Sequence, residues 1–168
     1  MRQAKGTIHV FTFKEGVLSA VAHDLRIRLE KFAITLDGTT VRAELDLLSL
    51  FVDGPMVDGE LRPNDYDAGK RADVEKAMHG DVLSSKQHPK GLFVGTATPR
   101  GDGFDVAGEL ELAGKKAPLA FAVQRKDGAY VSNFELKPSD WGIAPYKALL
   151  GAIRVKDQVR VEFALNEG

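Results

Sequence analysis

Apolar residues recur at every second position over most of this chain, and that period narrows the possible folds more than any other feature. Leu25, Ile27 and Leu29 alternate with Arg26, Arg28 and Glu30. Val106, Gly108, Leu110 and Leu112 alternate with charged or small residues, and Leu119, Phe121 and Val123 with Ala120, Ala122 and Gln124. Tyr130, Ser132, Phe134 and Leu136 repeat the pattern, as do Val159, Val161, Phe163 and Leu165 near the C-terminus. A helix spaces its buried side chains by 3.6 residues, whereas a strand with one wet face spaces them by two. The chain therefore reads as a series of half-buried strands.

Turn chemistry separates the runs. Thr7 to Phe13 is followed by Lys14-Glu15-Gly16, read as a hairpin loop leading into a strand within Val17 to Leu29. The apolar parity then switches, because Phe32, Ile34 and Leu36 are even-numbered where Leu25, Ile27 and Leu29 are odd. A one-residue slip implies a bulge or bend near Glu30-Lys31, a device that curves long strands into barrels. Asp37-Gly38, Gly101-Asp102-Gly103, Ala113-Gly114-Lys115 and Asp127-Gly128 mark further hairpins, and Val41, Ala43, Leu45 and Leu47 form a strand between the first two. Phe51 to Tyr66, with Gly54-Pro55, Gly59 and Pro63, reads as a long surface loop. One helix is expected from Asp67 to His79, with Val74, Ala77 and Met78 on a narrow stripe and Gly80 as its stop. A short helical turn from Asp81 precedes Pro89. The expectation is an all-β fold of about eight antiparallel strands, barrel or sandwich, with one helix laid across an end.

The length of 168 residues fits one domain over residues 1–168, large enough to bury a core without staples. A net charge of -1 gives no reason to expect nucleic acid or an anionic surface as partner. The absence of cysteine excludes disulfides, thiolate nucleophiles and Cys-ligated metals. No apolar run has the length of a membrane span, and no apolar segment follows the N-terminal charges, so a cytoplasmic location is expected.

His23-Asp24 is the strongest polar constellation. A first-hairpin register placing His9 opposite His23 would bring two imidazoles and a carboxylate together, as a metal site or an acid–base pair. The plainer reading, in which Asp24 orients His23 and both satisfy hydrogen bonds at a strand end, is favoured. Ser84-Ser85 and Ser139-Asp140 lack a nucleophile-elbow context, and a triad of Ser139, His23 and Asp24 has no sequence support. The glycine pairs are hairpin glycines without the strand–loop–helix setting of a phosphate site.

What remains as a functional signal is the apolar face. Phe11, Phe13, Leu110, Leu112, Phe121, Phe134, Val161 and Phe163 are candidates for an inward lining, and eight strands leave room for side chains alone or for one small ligand. Ala20, Ala22, Ala107, Ala120 and Ala122 favour an open interior, because short side chains leave volume to be filled. Between the last two long runs lies Ser139 to Gly151, which holds the only tryptophan; it reads as a crossover with Trp141 and Tyr146 at one end of the barrel.

Phe13-Lys14-Glu15-Gly16-Val17-Leu18, Ala22-His23-Asp24-Leu25, Arg71-Ala72-Asp73, Gly108 through Lys115, Asp140-Trp141-Gly142-Ile143-Ala144-Pro145-Tyr146 and Val155-Lys156-Asp157-Gln158-Val159 together resemble the YceI-like family over nearly the whole chain. The resemblance implies a lipocalin-like antiparallel barrel that holds a long isoprenoid or other amphipathic lipid tail, with no catalytic residues to carry over. The expectation is accordingly a non-enzymatic lipid-binding barrel without a cofactor. Phe11, Phe13, Leu110, Phe121, Phe134 and Phe163 would contact the ligand, and His23, Asp24, Trp141 and Tyr146 would form its polar or aromatic mouth. The alternatives are a filled barrel serving as an interaction protein, and a His-based hydrolase or metal-binding protein. A C2 homodimer through a strand edge or the helix stripe is a further expectation.

Overall fold

The computed structural model describes residues 2–19 and 22–167, the side chains of Arg2, Gln3 and Leu149 excepted. Ala20 lies outside the described residues. The strands are β1 (Arg2–Glu15), β2 (Asp24–Leu29), β3 (Phe32–Asp37), β4 (Thr40–Asp46), β5 (Leu50–Val57), β6 (Glu60–Leu61), β7 (Lys90–Arg100), β8 (Gly103–Leu112), β9 (Lys115–Lys126), β10 (Ala129–Leu136), β11 (Lys147–Ala148) and β12 (Ile153–Glu167). Eight of them close a ring in the order β1-β12-β10-β9-β8-β7-β4-β3, each pair antiparallel and β3 returning to β1. This is the eight-stranded antiparallel barrel read from the alternation. One end carries the hairpin turns β3–β4, β7–β8 and β9–β10 with both chain ends; the other carries the longer connections, including the Trp141 segment.

The parity switch at Glu30-Lys31 is a fork in the wall. β1 pairs with β3 through Arg2–Ala4 and with β2 through Ile8–Thr12, so β2 and β3 act as one bent strand. Beyond the bend β3 keeps β4 as its neighbour, while β2 takes β5. Ser49, buried in the short 3₁₀ turn Leu47–Ser49, fills the fork: its carbonyl accepts from Glu30 N at 3.1 Å and its hydroxyl from Lys31 N at 2.8 Å. Ladder groups lost at the bend are thus satisfied by a side chain and a turn.

Residues 51–66 are not the surface loop expected of them. Leu50 to Val57 form β5, paired with β2 from Leu29↔Leu50 to Asp24↔Met56, with a register shift at Asp53 beyond which Gly54 and Pro55 pair with Arg26 and Leu25. Of the expected Val17–Leu29 strand, Asp24–Leu29 is extended, whereas residues 16–19 turn and residues 22–23 are not in a strand; Val21, like Ala20, lies outside the described residues. The helix, α1 (Ala68–Ala77), is capped by Asp67, whose carboxylate accepts from Lys70 N at 2.8 Å. It does not stop at Gly80 but widens into a π-helical turn, Met78–Val82. His79 anchors that turn, its imidazole lying 2.9 Å from both Ser85 Oγ and Leu50 O. Glu75 accepts from Val52 N at 2.9 Å, satisfying a β5 amide at a position where β6 offers no partner.

The ring has one weak seam. β9 and β10 share a ladder only over Gln124–Lys126 and Ala129–Val131. Past it the Ser132 hydroxyl donates to Ala122 O at 2.7 Å, and the rings of Phe121 and Phe134 stack at 4.5 Å. The Ala122 carbonyl faces β10, so the two-residue period places the Pro118 nitrogen on the same edge, where a missing N–H costs no ladder bond.

Candidate functional site: an apolar cavity in the barrel

The buried side chains form two clusters, one around Phe93, Val106, Leu110 and Trp141 and one around Ile8, Leu25, Ile27 and Val52. A cavity of about 850 Å³ lies inside the barrel and is lined by members of both. β1 contributes Ile8, Val10 and Thr12; β4 and β7 contribute Val41, Ala43, Phe93 and Ala97; β8 to β10 contribute Leu110, Leu119, Phe121 and Phe134; β12 contributes Val161 and Phe163. Val74, Ala77, Met78 and Val82 line it from the helix side. Phe121 is the aromatic hub, stacked on Phe134, tilted against Phe93 at 5.8 Å and edge-on to Phe163 at 6.0 Å. The interior is therefore not filled by its own side chains.

Polar groups border the cavity at its ends. At the helix end these are His23, Tyr66, Asp73, Tyr146 and Lys156; at the hairpin end they are Thr35, Tyr130, Asn166 and Glu167. The His23 ring meets Tyr66 edge-on at 5.4 Å. Burial raises the Tyr66 phenol above its usual range, so it remains a neutral hydroxyl at physiological pH.

Of the expected ligand-contacting residues, Leu110, Phe121, Phe134 and Phe163 line the cavity, and His23 and Tyr146 stand at its rim. Phe11 and Phe13 do not: they lie on the outer face, because Ile8, Val10 and Thr12 take the inner one. Arg160 covers both, its guanidinium 4.4 Å from the Phe11 ring and 5.8 Å from the Phe13 ring. Asp24 is not in the wall; it accepts from Lys14 N at 2.7 Å. Trp141 is only 3% exposed and packs behind the wall, donating from its indole to Leu110 O at 2.7 Å. Its neighbours Pro138, Ile143, Pro145 and Tyr146 are the members of that segment that reach the cavity. Ala107, Ala120 and Ala122 are exposed on the outside, while Ala22 borders the cavity; the room inside comes instead from Ala43 and Ala97.

The histidines do not converge. His9 stands opposite Arg28, not His23. It faces an outer cluster in which Asp53 accepts from Arg26 Nε at 2.7 Å and from Arg28 Nη1 at 2.8 Å. Burial and the positive charge of Arg26 hold the His9 imidazole below its ordinary value against the pull of Asp53, which at 3.8 Å is beyond hydrogen-bond distance. Ser139 donates its hydroxyl and its N–H to Asp157, a pairing that holds the Asp157 carboxyl below its ordinary range. The three residues of the paper triad thus each have a different partner. Among the described residues no group of three His, Asp or Glu side chains gathers as a metal site. No helix among them is long and apolar enough to cross a membrane.

The inner residues of β1, together with Ala43, Ala97 and Tyr66, were missed by sequence reading. The sequence signal that was available is the Ile8–Val10 alternation, which runs out of phase with Phe11 and Phe13.

Among curated proteins no match is found. Among solved structures, the chain resembles Burkholderia cenocepacia BcnA at 16% identity over 95% of this chain and 94% of that one, with a TM-score of 0.65. It also resembles the Campylobacter jejuni YceI protein at 13% identity over 84% of each chain, with a TM-score of 0.56. A mutant CJ YceI protein solved with a monobromobimane guest matches at 11% identity over 84% of each chain, with a TM-score of 0.58. These likenesses are of fold. The model of the YceI-like domain matches residues 3–166, nearly the whole chain, and the protein belongs to that family.

Proposed function

We propose that this protein is a carrier, holding one long apolar chain of lipid or isoprenoid type inside the barrel without transforming it. The observation that carries the reading is the cavity itself. Its volume of about 850 Å³ sits toward the upper end of the roughly 300–1,000 Å³ typical of small-molecule sites, and its middle is lined by aliphatic and phenyl groups. Such a lining offers burial at about 25 cal/mol per Å² of apolar surface and very little to a polar or charged solute. The polar side chains stand at the two ends, so the molecule that fits is amphipathic, with its chain along the barrel and its polar part at an end. Family membership supports the same reading.

Native mass spectrometry of the purified protein, followed by organic extraction, tests the proposal. An adduct that leaves with the organic phase, together with saturable binding of a fluorescent alkyl-chain probe to the stripped protein, is the expected result. A stripped protein that binds no apolar probe of any chain length would refute it.

A further inference from the structure

Six large apolar side chains are exposed among the described residues, and four of them, Val17, Leu18, Tyr146 and Leu150, belong to the helix end of the barrel. Val17 is 89% and Leu18 45% exposed, and Leu150 is exposed completely. Single exposed apolar residues are ordinary, but a group of them at one end is not.

Two connections present this group together. Leu18 N donates to Ala152 O at 2.9 Å, and Gly16 packs so closely that a Cβ there would fall 2.4 Å from the same carbonyl. β1 and β12 continue to the base of the tips through Lys14↔Val155 and Glu15↔Arg154, and Arg154 pairs with Glu15 at 3.0 Å. Leu150 stands at φ 54°, ψ 33°, a left-handed conformation that a residue with a Cβ adopts only at a steric cost. The chain thus accepts local strain to project a leucine into solvent.

What these tips adjoin is the rim of the cavity. Ala22, His23, Tyr146, Val155 and Lys156 line it at this end, within a few residues of Val17, Leu18 and Leu150 in each segment. Lys14, Lys147 and Lys156, all exposed, stand around the same rim, interspersed with the carboxylates of Asp24, Asp73 and Asp157. Separate apolar prongs above a rim of mixed charge suit the interface of a bilayer, where leucine and valine enter the acyl boundary and the polar rim stays among the headgroups.

We infer that this end of the barrel docks on a lipid bilayer, with Val17, Leu18 and Leu150 inserted and the cavity mouth turned toward the lipid. This deepens the carrier reading and rests on it for its purpose: an apolar chain passes between bilayer and barrel without crossing water. The apolar tips carry the docking and the mixed charges of the rim contribute little, so phosphatidylglycerol and salt change it only modestly.

The test is flotation of the full chain with phosphatidylcholine vesicles, with and without phosphatidylglycerol. Alkyl-probe binding in vesicle-free buffer, melting temperature and light-scattering mass are measured alongside. The wild-type chain is expected to float with both vesicle types. L150E and V17E should lower the bound fraction about tenfold or more, and V94E, with the same charge on an exposed valine of β7, should not. All three variants should keep probe binding and melting temperature. Docking is overturned if the wild-type chain does not float, if L150E and V17E float as it does, or if V94E fails equally. It is also overturned if the wild-type chain is a dimer that L150E dissociates, since a second copy then covers the tips. Absence of probe binding in the wild-type chain speaks against the carrier, while flotation still decides the docking surface.

Discussion

Placing a phenyl ring at Ala97 separates a hollow barrel from a filled one by the sign of its effect on stability. Ala97 is 3% exposed, lies on β7 opposite Val106 of β8, and borders the cavity. A space of about 150 Å³ is enough to admit one benzene, so a cavity of about 850 Å³ holds five to six rings' worth of volume. Ala97→Phe therefore fills about a sixth of it. In a hollow interior the added ring moves from water into apolar surroundings, worth about 1.5–3 kcal/mol, and folding stability should rise or stay level. In a filled interior the same change is overpacking, costing about 1–3 kcal/mol. The effect on binding depends on chain length. A ligand that already fills the cavity loses room for about six carbons, at most about 5 kcal/mol at 0.8 kcal/mol per methylene, or up to about a few thousandfold in affinity. A chain short enough for the remaining volume should bind as before. Urea denaturation and titration with alkyl probes of graded length measure both quantities, and Ala43→Phe on the neighbouring strand should reproduce them. A variant that loses 1–3 kcal/mol of stability while its chain-length profile stays unchanged would refute the hollow-barrel reasoning.

Trp141→Phe should cost about 1–3 kcal/mol, because it leaves the buried Leu110 carbonyl without its indole donor, yet alkyl-probe affinity should hold, since the ring lies behind the wall; denaturation and titration read the two separately. Glu75→Ala should destabilise by a similar amount by orphaning the Val52 amide, while Glu75→Gln keeps an acceptor and most of the stability; amide exchange at Val52 reports the loss directly. Ser132→Ala should lower stability by about 1 kcal/mol and speed amide exchange along the β9–β10 seam. His9 is held below its ordinary value of 6.5, so the unfolded chain binds the proton more readily. Its contribution is complete above pH 6.5 and is lost as pH falls below it; the urea midpoint should drop over that window and drop less in His9→Asn, an equal drop in both arguing against His9 as the cause.

Much of the fold was legible because two local signals agreed wherever they were read. Alternation named the strands β8 to β10 and β12, turn residues named the hairpins joining β8 to β10, and the parity slip at Glu30-Lys31 located the fork. β5 was missed although it carries the same signal. Asp58 and Gly59 have φ of 52° and 79°, the two positive values of a tight hairpin, between Val57 and Glu60. What hid them was Gly54-Pro55, a loop signal in isolation. Both residues nevertheless pair, Gly54 with Arg26 and Pro55 with Leu25, next to a bulge at Asp53 that exists only when β2 is already alongside. The π-helical turn depends equally on distant atoms, those of Leu50 and Ser85 that hold His79.

The site was less legible, because a strand that is apolar on both faces has no inward side of its own. In β1 the set Ile8 and Val10 competes with the set Phe11 and Phe13, and size alone favours the phenylalanines for the interior. Their outward placement is decided by Arg160, opposite Phe11 on β12, which shields the rings from water with a cation. The consequence for function runs through volume. With the phenylalanines inside β1, and with the outward Ala107, Ala120 and Ala122 exchanged for their larger neighbours, the same composition would pack a solid core. Sorted as it is, with Ala43 and Ala97 inward and two rings outward, it leaves space. The capacity to hold a ligand is thus a property of how side chains are divided between the two faces of each strand, and that division is settled by neighbours far away in sequence. For this reason a one-residue register shift in β1, which would exchange its two faces, should abolish binding more completely than any single substitution in the cavity wall.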